Sequence, residues 1–194
     1  RFVGTVWPVV STLVKIYTKA GDDGTTGLLY GGRVRKDSEL PAAYGTVDEA
    51  QAVLGVARAQ VEPDSELDQM LVRLGRDLYV LMAEVATAPE NRHKLTDGTT
   101  RVTAEMVHAL EVRIDDISDR FEMPTEFVIP GGNVVAAQLD LARTVVRRAE
   151  RVTMSACGAD SQVVPYLNRL SDLLWAMARW QEGESLTSRS TLDR

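Results

Sequence analysis

A single cysteine, Cys157, and two histidines, His93 and His108, leave little room for several common chemistries. One thiol excludes an internal disulfide and suits a reducing compartment, which sets the expectation of a cytoplasmic protein. Neither histidine stands at a spacing used to hold zinc, so no protein-built metal site is expected. His108 falls in a helical stretch and reads as a surface residue, and Cys157 reads as a small packed or surface residue rather than a nucleophile. Positive charge is in deficit: the net charge is −6, which argues against a general binder of nucleic-acid backbones. Long apolar runs are missing too. The N-terminal "RFVGTVWPVVSTLV" is interrupted by Pro8, is too short for a membrane span and is not followed cleanly by a small-x-small cleavage site. It reads as a leader over residues 1–14, flexible or strand-like.

What the chain has in quantity is helical periodicity. At 194 residues it fits one domain, here placed at 15–184. Leu67, Met70, Leu71, Leu74, Leu78, Leu81, Met82 and Val85 recur at steps of three and four, with Asp64 as the expected N-cap after Pro63. Val107, Leu110, Ile114, Ile117 and Phe121 repeat the pattern. An earlier helix over about 38–60 carries Tyr44, Val47, Leu54 and Ala57, and two later ones cover roughly 133–156 and 163–183. Five amphipathic helices without convincing strand alternation predict an all-α, five-helix bundle. Residues 87–101 read as a polar connector and 185–194 as a flexible tail.

One stretch does not fit a bundle core. "YTKAGDDGTTGLLYGG", residues 17–32, holds five glycines among few apolar side chains. Its Gly27-x4-Gly32 spacing resembles a phosphate-binding P-loop, but Arg33 and Val34 stand where lysine and serine or threonine are required. A different anion site remains open: backbone amides freed at Gly21 and Gly24, hydroxyls of Thr18, Thr25 and Thr26, the charge of Lys19, and Asp22 to orient the loop or meet a metal. A solvated turn is the alternative, and the loop alone does not decide.

The fourth helix adds weight to the anion site. Arg143, Arg147 and Glu150 fall within a stripe about 60° wide, with Arg151 beside it and Leu141, Val145, Ala149 and Val152 opposite. A solvent face laced with ion pairs would look similar. Arginine, however, supplies a rigid two-pronged donor suited to phosphate. On the fifth helix Asn168, Asp172, Trp175 and Arg179 form a counterpart stripe. Two such stripes facing one another would be costly without a ligand between them.

Together, "KIYTKAGDDGTTGL", "RVRK", "AYGTVDEA", "FVIPGG", "ARTVVRRAER" and "NRLSDLLWAMAR" resemble, in content and order, the PduO-type ATP:cob(I)alamin adenosyltransferases over roughly residues 15–182. The resemblance implies a homotrimer with active sites at subunit interfaces. It implies transfer of the 5′-deoxyadenosyl group of ATP to cob(I)alamin, formed from cob(II)alamin, giving adenosylcobalamin and triphosphate, with Mg²⁺ on the phosphates. It further implies a reductant for cob(II)alamin, and an adenosylcobalamin-dependent enzyme as a recipient of the product.

Carried over residue by residue, the resemblance puts Thr18, Lys19, Gly21, Asp22, Gly24, Thr25, Thr26 and Lys36 on ATP, joined by Arg147, Glu150, Arg151 and Asn168. It makes Arg143, Arg147 and Asp48 the catalytic set, with Asp48 and Arg143 pairing across two subunits. Phe127 falls on the corrinoid side, where an apolar side chain under the corrin would keep a lower axial ligand off cobalt; a staple at the helix entrance is the other reading of Phe127. The departures are the leader and Ala20, where the family commonly has Thr or Asn. A non-catalytic nucleotide or corrinoid carrier and an ATP hydrolase are the competing functions. The carrier gives no turnover, and the hydrolase gives phosphate or pyrophosphate without corrinoid.

Overall fold

Three of the five helices begin where a short polar side chain accepts a free amide of the first turn, and the apolar stripe of each helix decides which way it faces. In the computed structural model, which describes residues 16–189, α1 is Glu39–Arg58, α2 Glu66–Val85, α3 Ala104–Ser118, α4 Val134–Ala156 and α5 Val163–Glu182. Thr103 caps α3 through Met106 N, and Asn133 caps α4 through Ala136 N. For α2 the cap is Ser65, which accepts from Asp68 N, and not Asp64. Asp64 instead has φ +60°, turning the chain after Pro63 so that the next residue faces the helix start.

The helices alternate in direction. α4 packs on α1 and α5, α1 also packs on α2, and α5 also packs on α3, which gives the expected all-α bundle. The stripe foreseen in α2 is buried at Leu67, Met70, Leu71, Leu74, Leu78, Leu81 and Val85. Phe121 lies beyond the end of α3 and meets Trp175 edge-on, at a centroid distance of 6.1 Å.

The structure adds two short elements and corrects one further expectation. The glycine segment includes a short antiparallel ribbon, β1 (Thr25–Gly27) with β2 (Arg33–Arg35), too brief to leave an alternating signature. The connector after α2 contains a 3-10 turn, Pro89–Lys94, started by the proline. Residues 185–189 are held in place, because Ile129 N donates to Leu186 O at 2.8 Å and Ser188 N to Phe127 O at 2.9 Å. The leader 1–14 lies outside the described residues. No helix among the described residues is long and apolar enough to cross a membrane.

A buried carboxylate locks one end of the bundle. Glu84, 6% exposed, accepts from Val102 N and from Ser161 Oγ, both at 2.6 Å, tying α2 to the start of α3 and to the α4–α5 turn. Beside it burial pushes the Cys157 thiol up to about 11, helped by the negative charge of Glu84, which keeps the sulfur protonated and unreactive. Glu84→Ala should leave the buried Val102 amide without a partner and lower stability by about 1–3 kcal/mol. Denaturant unfolding of the variant checks this; an unchanged midpoint would mean that water replaces the carboxylate without loss.

Candidate functional site: a helix joining a cavity to a glycine ribbon

α4 runs between two different environments. At its N-terminal end, Asn133 Nδ2 donates to Gln181 O at 2.7 Å, joining the start of α4 to the end of α5. At its C-terminal end, Arg92 Nη2 donates to Ala156 O at 2.8 Å, joining α4 to the segment after α2. That segment also receives the glycine ribbon, because Leu29 N donates to Ala86 O at 2.9 Å. The ribbon and the C-terminal end of α4 therefore share one end of the bundle.

Toward the other end lies a cavity of about 520 Å³ whose walls include Glu126, Phe127, Asp140, Arg143, Trp175 and Arg179. Its floor is charged and nearly dry. Asp140 accepts from Arg143 Nε at 3.1 Å and from Arg179 Nη2 at 2.7 Å. The Arg179 guanidinium also lies 5.7 Å from the Trp175 ring centroid, within the range of a cation–π contact. Phe127, at the edge, is 89% exposed. A side chain stapling the helix entrance would be covered, so the staple reading does not hold.

Further along α4, Arg147 and Arg151 point outward and Glu150 accepts from Asn168 Nδ2 at 3.0 Å, so the stripes on α4 and α5 do meet. From Arg143 to Arg151 is eight residues, or about 12 Å of helix. The apolar face of α4, centred near Ala142, Val146 and Thr153, lies roughly 80° to one side of the stripe rather than opposite it. Leu141, expected to be inside, is 49% exposed, and Arg143 and Glu150 sit on the border between core and solvent.

The glycine ribbon has its own internal order. Lys19 and Gly24 take φ of +60° and +81°, so the loop turns back on itself twice. Lys36 Nζ lies against Gly21, at 3.0 Å from where a Cβ would stand, so a side chain there would push the ammonium aside. Lys36 is thereby brought beside the loop that carries Lys19. Among the described residues, Asp22 engages through its amide, which donates to Lys19 O at 3.3 Å. The carboxylate that orients the loop is Asp23, which accepts from Thr25 N at 2.9 Å and Thr25 Oγ1 at 2.8 Å. These bonds hold its carboxyl below the usual range. Arg33 then reaches Thr25 Oγ1 and Ala20 O, each at 2.6 Å. Sequence reasoning missed both residues, although an Asp two positions before a threonine amide is a common turn signature.

Asp48 and Arg143 are not brought together within one chain. Arg143 is engaged by Asp140, while Asp48 is exposed and forms no ion pair among the described residues. Its neighbour Glu49 pairs with Arg148, which sets the level of α1 against α4 and leaves Arg143 further along. Nor do the described residues include a group of three or more His, Cys, Asp or Glu able to hold a metal ion.

Comparison with known proteins gives one consistent answer. Residues 16–181 match the model of the cobalamin adenosyltransferase family. A corrinoid adenosyltransferase of Citrobacter freundii is 41% identical, covering 88% of this chain and 96% of its own. The corrinoid adenosyltransferase of Mycobacterium tuberculosis (strain H37Rv) is 39% identical, covering 86% and 88%. Among solved structures, a variant PduO-type ATP:corrinoid adenosyltransferase from Lactobacillus reuteri complexed with cobalamin and ATP superposes with a TM-score of 0.79 at 29% identity, covering 90% of this chain and 97% of that one. With a family match across nearly all the described residues and relatives near 40% identity, the chain belongs to the cobalamin adenosyltransferase family.

Proposed function

We propose that this chain transfers the 5′-deoxyadenosyl group of ATP to cob(I)alamin. One observation carries the reading: a single rigid helix presents Arg143 in the wall of the cavity and, about 6 to 12 Å further on, Arg147, Glu150 and Arg151 toward the end shared with the glycine ribbon. A ligand with a bulky apolar-and-amide part and a ligand with a polyphosphate can so be aligned by one element.

The chemistry asks for alignment and charge, not for a base. The cobalt supplies the electron pair, a Co–C5′ bond forms, the C5′–O bond breaks, and the triphosphate leaves with the electrons. Arg147, Arg151, Lys19 and Lys36 are the cations offered to that growing charge. Thr18, Gly21, Asp22, Gly24, Thr25 and Thr26 shape the loop around the nucleotide, and the Glu150–Asn168 pair adds polar atoms beside it. Magnesium suits a substrate-held ion here, since it usually keeps its waters and phosphate oxygens and needs few protein ligands.

A second copy would complete the site. Asp48, exposed on α1, is free to reach Arg143 of a neighbour, and Val134 and Leu141 lie exposed on the side of α4 away from the stripe. This is the basis for proposing a homotrimer. A reductant delivering cob(II)alamin's last electron and an enzyme accepting adenosylcobalamin are its expected partners.

The direct test incubates the protein with ATP, Mg²⁺ and chemically reduced cobalamin. A light-sensitive adenosylcobalamin spectrum supports the transfer; bound ligands without turnover would indicate a carrier, and corrinoid-independent phosphate release a hydrolase. Arg147→Lys keeps the charge but loses the two-pronged donor, and turnover should fall at least tenfold, about 1.4 kcal/mol of transition-state stabilisation. Unaltered kcat and KM for ATP would reduce the stripe to a solvated face. Light scattering should give three times the 21.3 kDa chain mass, and Asp48→Asn should weaken both assembly and activity. A fully active monomer overturns the shared site. Because Phe127 is exposed, Phe127→Ala should fold and bind ATP normally yet lose the four-coordinate Co(II) signature. Its activity should collapse with cob(II)alamin and a mild reductant and partly return with cob(I)alamin; equal losses in both assays would remove Phe127 from the reduction step.

A further inference from the structure

The charged floor of the cavity does not stop at Arg179. Arg179 Nε lies 2.9 Å from Glu182 Oε2 as a charge contact, though without the alignment of a hydrogen bond. Both side chains are 1% exposed. The other oxygen of Glu182 accepts from Gly132 N at 3.0 Å, and Oε2 also receives Ser185 Oγ at 3.2 Å. Gly132 closes the loop that carries Phe127. Ser185 opens the terminal strap, which turns back at Gly183 with φ +75°. The strap then pairs with residues 127–129 through Ile129 N–Leu186 O and Ser188 N–Phe127 O, and Arg189 lies 3.4 Å from Glu126.

We infer that Asp140, Arg179 and Glu182 are positioning residues, a buried latch that fixes the Phe127 loop in register with Arg143. The inference rests on the adenosyl-transfer reading for what that register is used for. The physical case is independent of it. Four alternating charges, Arg143, Asp140, Arg179 and Glu182, cross from one wall of the cavity to the root of the other. Apolar side chains of the same size would stabilise the bundle as well or better, because buried ion pairs roughly offset their own desolvation. What charges add is directionality: each carboxylate fixes the angle of the next guanidinium. A loop tethered only by its apolar contacts would be free to swing, and Phe127 has almost none of those.

Gly132→Ala tests the latch without touching a charge. A Cβ there would fall 2.6 Å from Glu182 Oε1 and closer still to Cγ, so Glu182 must leave its place. In this variant, hydrogen exchange at the Ile129 and Ser188 amides should quicken roughly tenfold or more, while core amides such as Val146 and Leu174 stay protected. Turnover with cob(II)alamin and a mild reductant should fall by about tenfold, the four-coordinate Co(II) signature should weaken, and KM for ATP should hold. Asp140→Asn breaks the same chain from its other side, so the two substitutions combined should cost less than the product of their separate effects.

Unchanged exchange at both amides in Gly132→Ala overturns the inference. So does a loss that is multiplicative with Asp140→Asn, or one that raises KM for ATP in step with the fall in melting temperature, which would mark a merely structural contact. The exchange measurement needs no turnover. An inactive wild type would overturn the functional reading, whereas an active wild type with an undisturbed loop in Gly132→Ala overturns the latch alone.

Discussion

The site depends on a carboxylate that could not be left alone. Asp140, with a side chain 5% exposed, would cost several kcal/mol to bury unpaired, and the bundle satisfies it twice, with Arg143 from its own helix and Arg179 from α5. Removing either arginine leaves the other facing an unbalanced charge. The α4–α5 contact is therefore specified in angle as well as in distance, and the wall of the cavity inherits that accuracy. Few apolar contacts could hold a guanidinium at the border between core and solvent, where it can face a ligand without being free to wander.

The other half of the site is built on the opposite plan. In the glycine ribbon almost nothing is buried, and order comes from local bonds: Asp23 to Thr25, Arg33 to Thr25 and Ala20, Lys36 N to Gly24 O at 2.9 Å. Such a loop keeps its amides near the surface and can close around a phosphate chain without disturbing the core. Rigid arginines and a compliant loop divide the tasks of aiming and enclosing.

Much of this was legible in the sequence, for reasons that vary with the element. The stripe of α2 is a repeated local signal, and so are those of the other helices, so helix positions came out within a few residues. The cap of α2 was missed by one because Asp64 and Ser65 are both good caps, and only the positive φ of Asp64 decides between them. The Arg143–Arg147–Glu150 stripe was visible by spacing, but its tilt relative to the core was not, since the buried face is fixed by where α1 and α5 pack. Asp140, Glu182 and Asp23 went unseen for a common reason: each matters through a partner whose proximity the bundle creates. The strap at 185–189 was read as frayed because its polar residues show no period, and its order comes from pairing with a distant loop.

A helix is also a ruler. Between Arg143 and Arg151 the backbone advances about 1.5 Å and turns about 100° with every residue. Adding or removing one residue in that interval would shift the spacing by little, yet it would swing one group of arginines by about 100°, off the face that the other group shares. The connectors at 87–101 and 157–162 carry no such phase, and length there is a matter of slack. Over this family fold, then, evolution should be free to edit the loops in number of residues, while α4 can be edited only in kind.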